Sequence, residues 1–148
     1  MTKHAKTARR RGDTSLAQRA DRHKLYQLSV QAPDFEVEFF EDRYKELRGK
    51  KPKSLREDFC GTALLCVEWC KSHPKRTALG VDLSRETLEW GQRHNLKPAG
   101  RDVAARIDLR HANVLEVHEP KADVTCAMNF SYCVFKTRGA WRHYFETV

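Results

Sequence analysis

Apolar residues along this chain change their spacing near residue 54. Before it they recur mostly three to five apart, as Leu16, Ala20, Leu25 and Leu28, then as Phe35, Val37, Phe39, Phe40, Tyr44 and Leu47. Such a period turns one face of a helix toward a core. Asp13-Thr14-Ser15 supplies capping side chains, Pro33 can open a second helix, and Gly49 sits where it stops. The pattern predicts two amphipathic helices, one from Leu16 to about Val30 and one from Pro33 to Gly49.

After residue 54 the apolar residues come in short runs, each ended by polar groups. Leu55 to Asp58 reads as a strand ending in acid, followed by a tight turn at Gly61 and a helix opening at Thr62 that carries Leu64-Leu65-Cys66-Val67-Glu68-Trp69-Cys70. Ala78 to Val81 is a second strand ended by Asp82. Ser84 caps a helix to about Asn95, and Lys97-Pro98-Ala99-Gly100 reads as a loop. Ala105 to Arg110 is a third strand whose Ile107 and Leu109 alternate with charges, tipped by His111-Ala112-Asn113. Ala122 to Met128 reads as a buried fourth strand tipped by Asn129-Phe130-Ser131-Tyr132, and a last helix runs from about Arg138 to Val148. This alternation implies an α/β fold with a parallel sheet, and right-handed crossovers bring all four tips to one edge. Glu57 to Gly61, Asp82, Asn113 and Asn129 then converge on one crevice, the usual ligand position in such sheets.

Composition narrows the picture. A chain of 148 residues, 40% of them apolar, fits one domain. No apolar run approaches a bilayer span and no secretory signal opens the chain, so a cytoplasmic protein is expected. Cys60, Cys66, Cys70, Cys126 and Cys133 form no Cys-x-x-Cys pair; neither a zinc site nor a disulfide framework is indicated. Of the net charge of +8, residues 1–12 supply +5 through Lys3, Lys6, Arg9, Arg10 and Arg11, leaving the rest nearly balanced. Those residues read as a solvated basic tail, able to attract nucleic acid weakly and nonspecifically. Residues 13–49 form the helical segment and 50–148 the sheet.

From about residue 54 onward the ordered set of motifs resembles class I S-adenosylmethionine-dependent methyltransferases. Glu57-Asp58-Phe59-Cys60-Gly61-Thr62-Ala63 is similar to that family's acid-x-Gly-x-Gly-x-Gly loop, with Phe59, Gly61 and Ala63 in the three glycine slots. The wording Leu-Arg-Glu-Asp-Phe-Cys-Gly-Thr resembles a bacterial-type branch in which two of those glycines are usually replaced. The resemblance implies a Rossmann-like sheet in the order 3-2-1-4 and S-adenosylmethionine as cofactor. It assigns Glu57 to the methionyl amino group, Phe59, Gly61 and Thr62 to the close-approaching turn, and Asp82 to the ribose hydroxyls. Leu83 lies against the adenine, and Asn113 and Val114 occupy the adenine-reading slot.

Asn129-Phe130-Ser131-Tyr132 partly resembles the Asn-Pro-Pro-Tyr signature of amino-group methyltransferases. That reading would make Asn129 and Tyr132 catalytic, holding and stacking on an unidentified methyl acceptor; Asn129 serving the cofactor, or plain turn structure, are the alternatives. Methyl transfer from a sulfonium is an in-line displacement that depends on placement, so no metal or dedicated nucleophile is required. His111, His118 and His143 are available as bases, and Tyr26, Tyr44 and Tyr132 as rings for the sulfonium. The family's sheet has seven strands and four are legible here, so a truncated chain with an unshielded fourth strand is expected. Two other functions stay open: a noncatalytic RNA- or protein-binding module using the tail, and a nicotinamide-dependent oxidoreductase, for which Gly-x-Gly-x-x-Gly is missing.

Overall fold

A computed structural model of the chain describes residues 15–148. The basic segment 1–12 and the capping residues Asp13 and Thr14 lie outside that range.

Four parallel strands, β1 (Ser54–Asp58), β2 (Thr77–Asp82), β3 (Ile107–His111) and β4 (Val124–Ala127), form one sheet in the order β3-β2-β1-β4. Leu55 sits opposite Ala78 and Val124, and Asp58 opposite Val81 and Ala127, so the strand ends line up along one edge. This is the parallel α/β sheet expected from the alternating runs, in the Rossmann-like order that the resemblance implied. Strand alternation divides β1 between two cores. Leu55 joins Val37, Leu65, Cys66, Trp69 and Cys70 under helices α3 (Pro33–Arg48) and α4 (Leu64–Ser72). On the other face Leu79, Val81, Val114, Val117 and Tyr144 pack beneath helix α8 (Arg138–Thr147). At the sheet's far end the Asp123 carboxylate accepts from Tyr44 Oη and from the Lys53 and Ser54 amides, tying α3 to the starts of β1 and β4.

Several expectations are corrected. The first helix is two, α1 (Leu16–Arg19) and α2 (Arg22–Val30), because Asp21 accepts from the His23 and Lys24 amides and starts a new helix. Neither buries a residue, and Leu16 and Leu28 are nearly four-fifths exposed. On α3 only the stripe holding Val37, Phe40 and Tyr44 turns inward; Phe35 and Phe39 stack on each other in solvent. Helix α4 opens at Leu64, two residues after Thr62.

The helix after Ser84 does not stop at Asn95. Helix α5 (Arg85–Gly91) continues through a π-turn (Gln92–Leu96) into α6 (Lys97–Ala99), with the Lys97 amide donating to Gln92 O. The wider turn leaves Pro98 in the first turn of α6, where its missing N–H is not needed. A short helix α7 (Arg101–Ala104) then leads to β3. Strand β4 is half-buried rather than buried, with Thr125 exposed, because among the described residues it pairs only with β1.

Candidate active site at the strand tips

Beyond β1 the backbone winds through three left-handed residues: Phe59 (φ 59°), Gly61 (φ 54°) and Ala63 (φ 55°). These are the three slots that the sequence motif reserves for glycine. Two are filled by residues for which this conformation costs about 1–2 kcal/mol each, so the surroundings must hold it. They do so from every side. The Gly61 amide donates to Asp82 Oδ2 (2.8 Å), and the Cys60 amide to Val81 O (3.0 Å). Thr62 O accepts from Asn95 Nδ2 (2.8 Å), and Thr62 Oγ1 accepts from Gln27 Nε2 (2.7 Å). The Phe59 ring meets Phe135 and Tyr144 edge-on or tilted, with centroids 6.1 and 6.5 Å away. Gly91 lies under the turn so closely that a Cβ there would sit 2.3 Å from Thr62 O.

Asp82 ends β2 with both oxygens in use, Oδ2 by Gly61 and Oδ1 by the Ser84 amide (2.7 Å). Each oxygen keeps a second lone-pair direction for a donor such as a hydroxyl. Glu57 is 3% exposed, and its Oε2 accepts from the Cys66 thiol (3.1 Å). Burial pushes its carboxyl up to about 8; Cys66 hydrogen bonds oppose this, and the negative charges of Glu36 and Asp82 add to it. Burial also pushes the Cys60, Cys66 and Cys126 thiols well up, which makes them packing groups rather than nucleophiles.

A hollow of about 230 Å³ opens beside this turn. Of the residues singled out in the sequence, Glu57, Phe59, Gly61, Thr62 and Asn129 line it, as does Tyr26. Asp82, expected to converge on the same crevice, does not line it; its link to the hollow is the hydrogen bond it accepts from the Gly61 amide. Asn129 and its neighbour Phe130 are also left-handed, at φ 54° and 60°, so the tip of β4 is a second strained turn at the same rim. The remaining candidates lie outside. Leu83 is 66% exposed next to Asp82. The Asn113 side chain accepts from the Leu115 amide, capping a 3₁₀ turn (Val114–Glu116), and Val114 is buried in the second core. Tyr132 stands between Trp141 and Phe130, with centroids 5.1 and 6.3 Å away. Tyr44 is at the opposite end of the sheet, held by Asp123. His111 is exposed; its Nε2 donates to Leu83 O (2.9 Å), since a carbonyl only accepts.

His23, Gln31 and Thr87 also line the hollow and carry no signal in the sequence; their place follows from how α2 and α5 close over the turn, while Ser131, from the Asn129-Phe130-Ser131-Tyr132 stretch, lines it from the tip of β4. Three larger hollows lie elsewhere among the described residues, two of about 480 Å³, between α3 and α4 and at the starts of the strands, and one of about 250 Å³ beside Lys51 and Arg76. None joins a left-handed backbone to a perturbed carboxyl, a pairing enriched at functional sites. Among the described residues no cluster of His, Cys, Asp or Glu could hold a metal ion, and no helix is long and apolar enough to cross a membrane.

No protein-family model and no curated protein matches the chain by sequence. Solved structures match its fold. The plantazolicin methyltransferase BpumL, in complex with a triazolic desmethylPZN analog and SAH, aligns with 85% of this chain and 47% of its own at TM-score 0.65 and 16% identity. The sugar N-methyltransferase KedS8 from Streptoalloteichus sp ATCC 53650 aligns with 99% of this chain and 53% of its own, at TM-score 0.65 and 16% identity. SAM-bound CalS10, an amino pentose methyltransferase from Micromonospora echinaspora, aligns with 82% and 47%, at TM-score 0.63 and 14% identity. The likeness is one of fold, and the chain spans about half the length of these proteins.

Proposed function

We propose that residues 50–148, with helix α2 laid over them, form the cofactor-binding part of a class I S-adenosylmethionine-dependent methyltransferase of the Leu-Arg-Glu-Asp-Phe-Cys-Gly-Thr type. The observation that carries this reading is the left-handed backbone at Phe59, Gly61 and Ala63, gripped through Gly61 by the acid that ends β2. A loop that keeps the glycine conformation at all three slots with only one glycine present is held for its shape. The polar groups fit the cofactor: Glu57 in the hollow for an ammonium, Asp82 beyond Gly61 for a diol, no lysine or arginine against the hollow among the described residues, and an aromatic ring, Tyr26, beside it.

When bound, S-adenosylmethionine would supply a methyl group on positively charged sulfur. The chain's own part is placement. Glu57 accepts from the ammonium, Asp82 takes the ribose hydroxyls on its free lone pairs, and the exposed Leu83 offers an apolar surface to the adenine. Asn113 and Val114 border the adenine end. Asn113 Oδ1 keeps one lone pair after capping Leu115, and Val114, whose side chain is in the core, contributes backbone only. Asn129 at the rim and Tyr132 behind it face the side from which a methyl acceptor would arrive.

The nicotinamide reading is weaker on this geometry. The Gly61 amide is donated to Asp82 and the Ala63 amide to Cys60 O, so neither is free to hold a pyrophosphate. Isothermal titration with S-adenosylmethionine tests the proposal. Binding is expected, and Asp82→Ala should weaken it tenfold or more, since a charge-assisted hydrogen bond contributes about 1.5–3 kcal/mol. An affinity unchanged by Asp82→Ala sinks the site assignment.

A further inference from the structure

Gln31 closes helix α2, and its Oε1 is the one buried side-chain polar atom with no hydrogen-bond partner among the described residues. Native proteins rarely leave such an atom unpaired, because water has been removed from it and nothing has replaced the water. Gln31 lines the same hollow as Glu57 and Thr62. One hollow is thus lined both by the residue with the orphaned acceptor and by a buried carboxyl.

The hollow's electrostatics point the same way. Among the described residues no lysine or arginine lines this hollow; its polar side chains are acceptors or two-way hydroxyls and amides, with His23 the one basic side chain. A cationic nitrogen with several N–H groups is the ligand chemistry that satisfies two separated acceptors at once.

The roof is lightly held. Helix α2 buries no residue, and polar and aromatic contacts clasp it to the sheet domain. Gln27 donates to Thr62 Oγ1 (2.7 Å), Trp90 Nε1 to Asp21 Oδ2 (2.9 Å), and Arg22 pairs with Glu86 (2.7 Å). The His23 ring tilts against Trp90 at 5.2 Å. Lifting such a helix exposes little core, and elements of this kind are drawn from the low-stability end of a structure.

We infer that Gln31 is a ligand-binding residue: its carboxamide oxygen and the Glu57 carboxyl together receive the primary ammonium at the amino-acid end of the cofactor, so that α2 closes on the ligand. This rests on the methyltransferase reading above. It assigns the N-terminal helical segment a part in binding that no motif in the sequence carries.

Gln31→Met keeps the length of the side chain and removes the acceptor. Two probes separate its effects: S-adenosylhomocysteine, which carries the ammonium, and 5′-methylthioadenosine, which has the same adenosine and thioether without the amino-acid end. Titration of the full chain should show S-adenosylhomocysteine weakened about tenfold, the effect of one hydrogen bond to a charged group. Binding of 5′-methylthioadenosine should stay unchanged, and the melting temperature of the ligand-free protein should be unchanged or higher, because the lost atom had no partner. Equal weakening of both probes, or of neither, overturns the inference while leaving the methyltransferase reading in place. Failure of the unaltered chain to bind either probe overturns that reading, and the inference with it.

Discussion

Strand β1 places three consecutive charged residues in the interior, and its two faces treat them in opposite ways. Arg56 and Asp58 point toward α8, where every polar atom has a partner. Arg56 donates to Asp58 Oδ1 (2.8 Å), Val117 O (2.6 Å) and Val114 O (3.1 Å), and Asp58 Oδ2 accepts from Tyr144 Oη (2.9 Å). Glu57, between them, points toward α4 and has a thiol, the weakest of side-chain donors, on one oxygen. Gln31 lines the same hollow, and its Oε1 has no partner among the described residues. Burial alone therefore does not separate architecture from function. On the proposed reading, what separates them is whether the bonds are complete: a closed network fixes the fold, and an open one leaves acceptors for a ligand.

Cutting the closed side has the largest expected effect. Arg56→Ala leaves Asp58 buried with one neutral donor, and breaking a buried pair typically costs about 3–5 kcal/mol. Urea unfolding should show a loss of that size; a loss below about 1 kcal/mol would mean that the two faces do not differ as described. On the open side, Gly91→Ala drives a methyl into Thr62 O and must displace the strained turn. Overpacking of this kind costs about 1–3 kcal/mol. Because the displaced backbone lines the proposed site, S-adenosylhomocysteine binding should fall with stability, whereas Arg56→Ala acts on stability first.

Glu57→Gln sharpens the contrast through pH. With its carboxyl pushed up to about 8 from an ordinary value of 4.5, folded Glu57 keeps a proton that the unfolded chain releases. Its contribution is fully present below the unfolded value and is lost as pH rises through the folded one. Stability should therefore fall between those two values, by at most about 1.4 kcal/mol per pH unit for one proton. Glutamine, neutral throughout, should flatten that part of the profile in thermal melts from pH 5 to 8. A cation beside Glu57 favours the carboxylate, so S-adenosylhomocysteine binding should release a proton below pH 8 and tighten as pH rises toward it. Melts of the original chain that are flat across this window would return Glu57 to the closed class.

The sheet was legible in the sequence because each strand is a short apolar run ended by a polar group, and parallel topology sends those ends to one edge. The turn was legible too, because Glu57, Gly61 and Asp82 keep a motif's spacing. Three things were not. Helix boundaries depended on single side chains: Asp21 split one helix, and a π-turn carried another past Pro98. The helical period marked Phe35 and Phe39 as apolar without saying that only the Val37 stripe faces the sheet. Gln31 and Gly91 acquire meaning only through tertiary structure, one by lining the hollow that holds Glu57 and the other by its approach to a backbone carbonyl.

The smallest expected effect tests the tip of β4. Phe130 is left-handed like Phe59, yet the two rings stand differently: Phe59 packs against Phe135 and Tyr144, while Phe130 is 74% exposed and meets Tyr132 at 6.3 Å. Replacing Phe130 by glycine removes about 1–2 kcal/mol of backbone strain and adds about 0.5–1 kcal/mol of unfolded-state entropy. Almost no burial is lost. Phe130→Gly should therefore stabilise the chain by about 0.5 kcal/mol, while S-adenosylhomocysteine affinity stays the same because Phe130 does not line the hollow. Phe59→Gly relieves the same strain but removes a packed ring, so it should destabilise. If Phe130→Gly also destabilises, the Tyr132 contact is holding the turn, and this tip belongs with the closed face of β1 rather than with the open site.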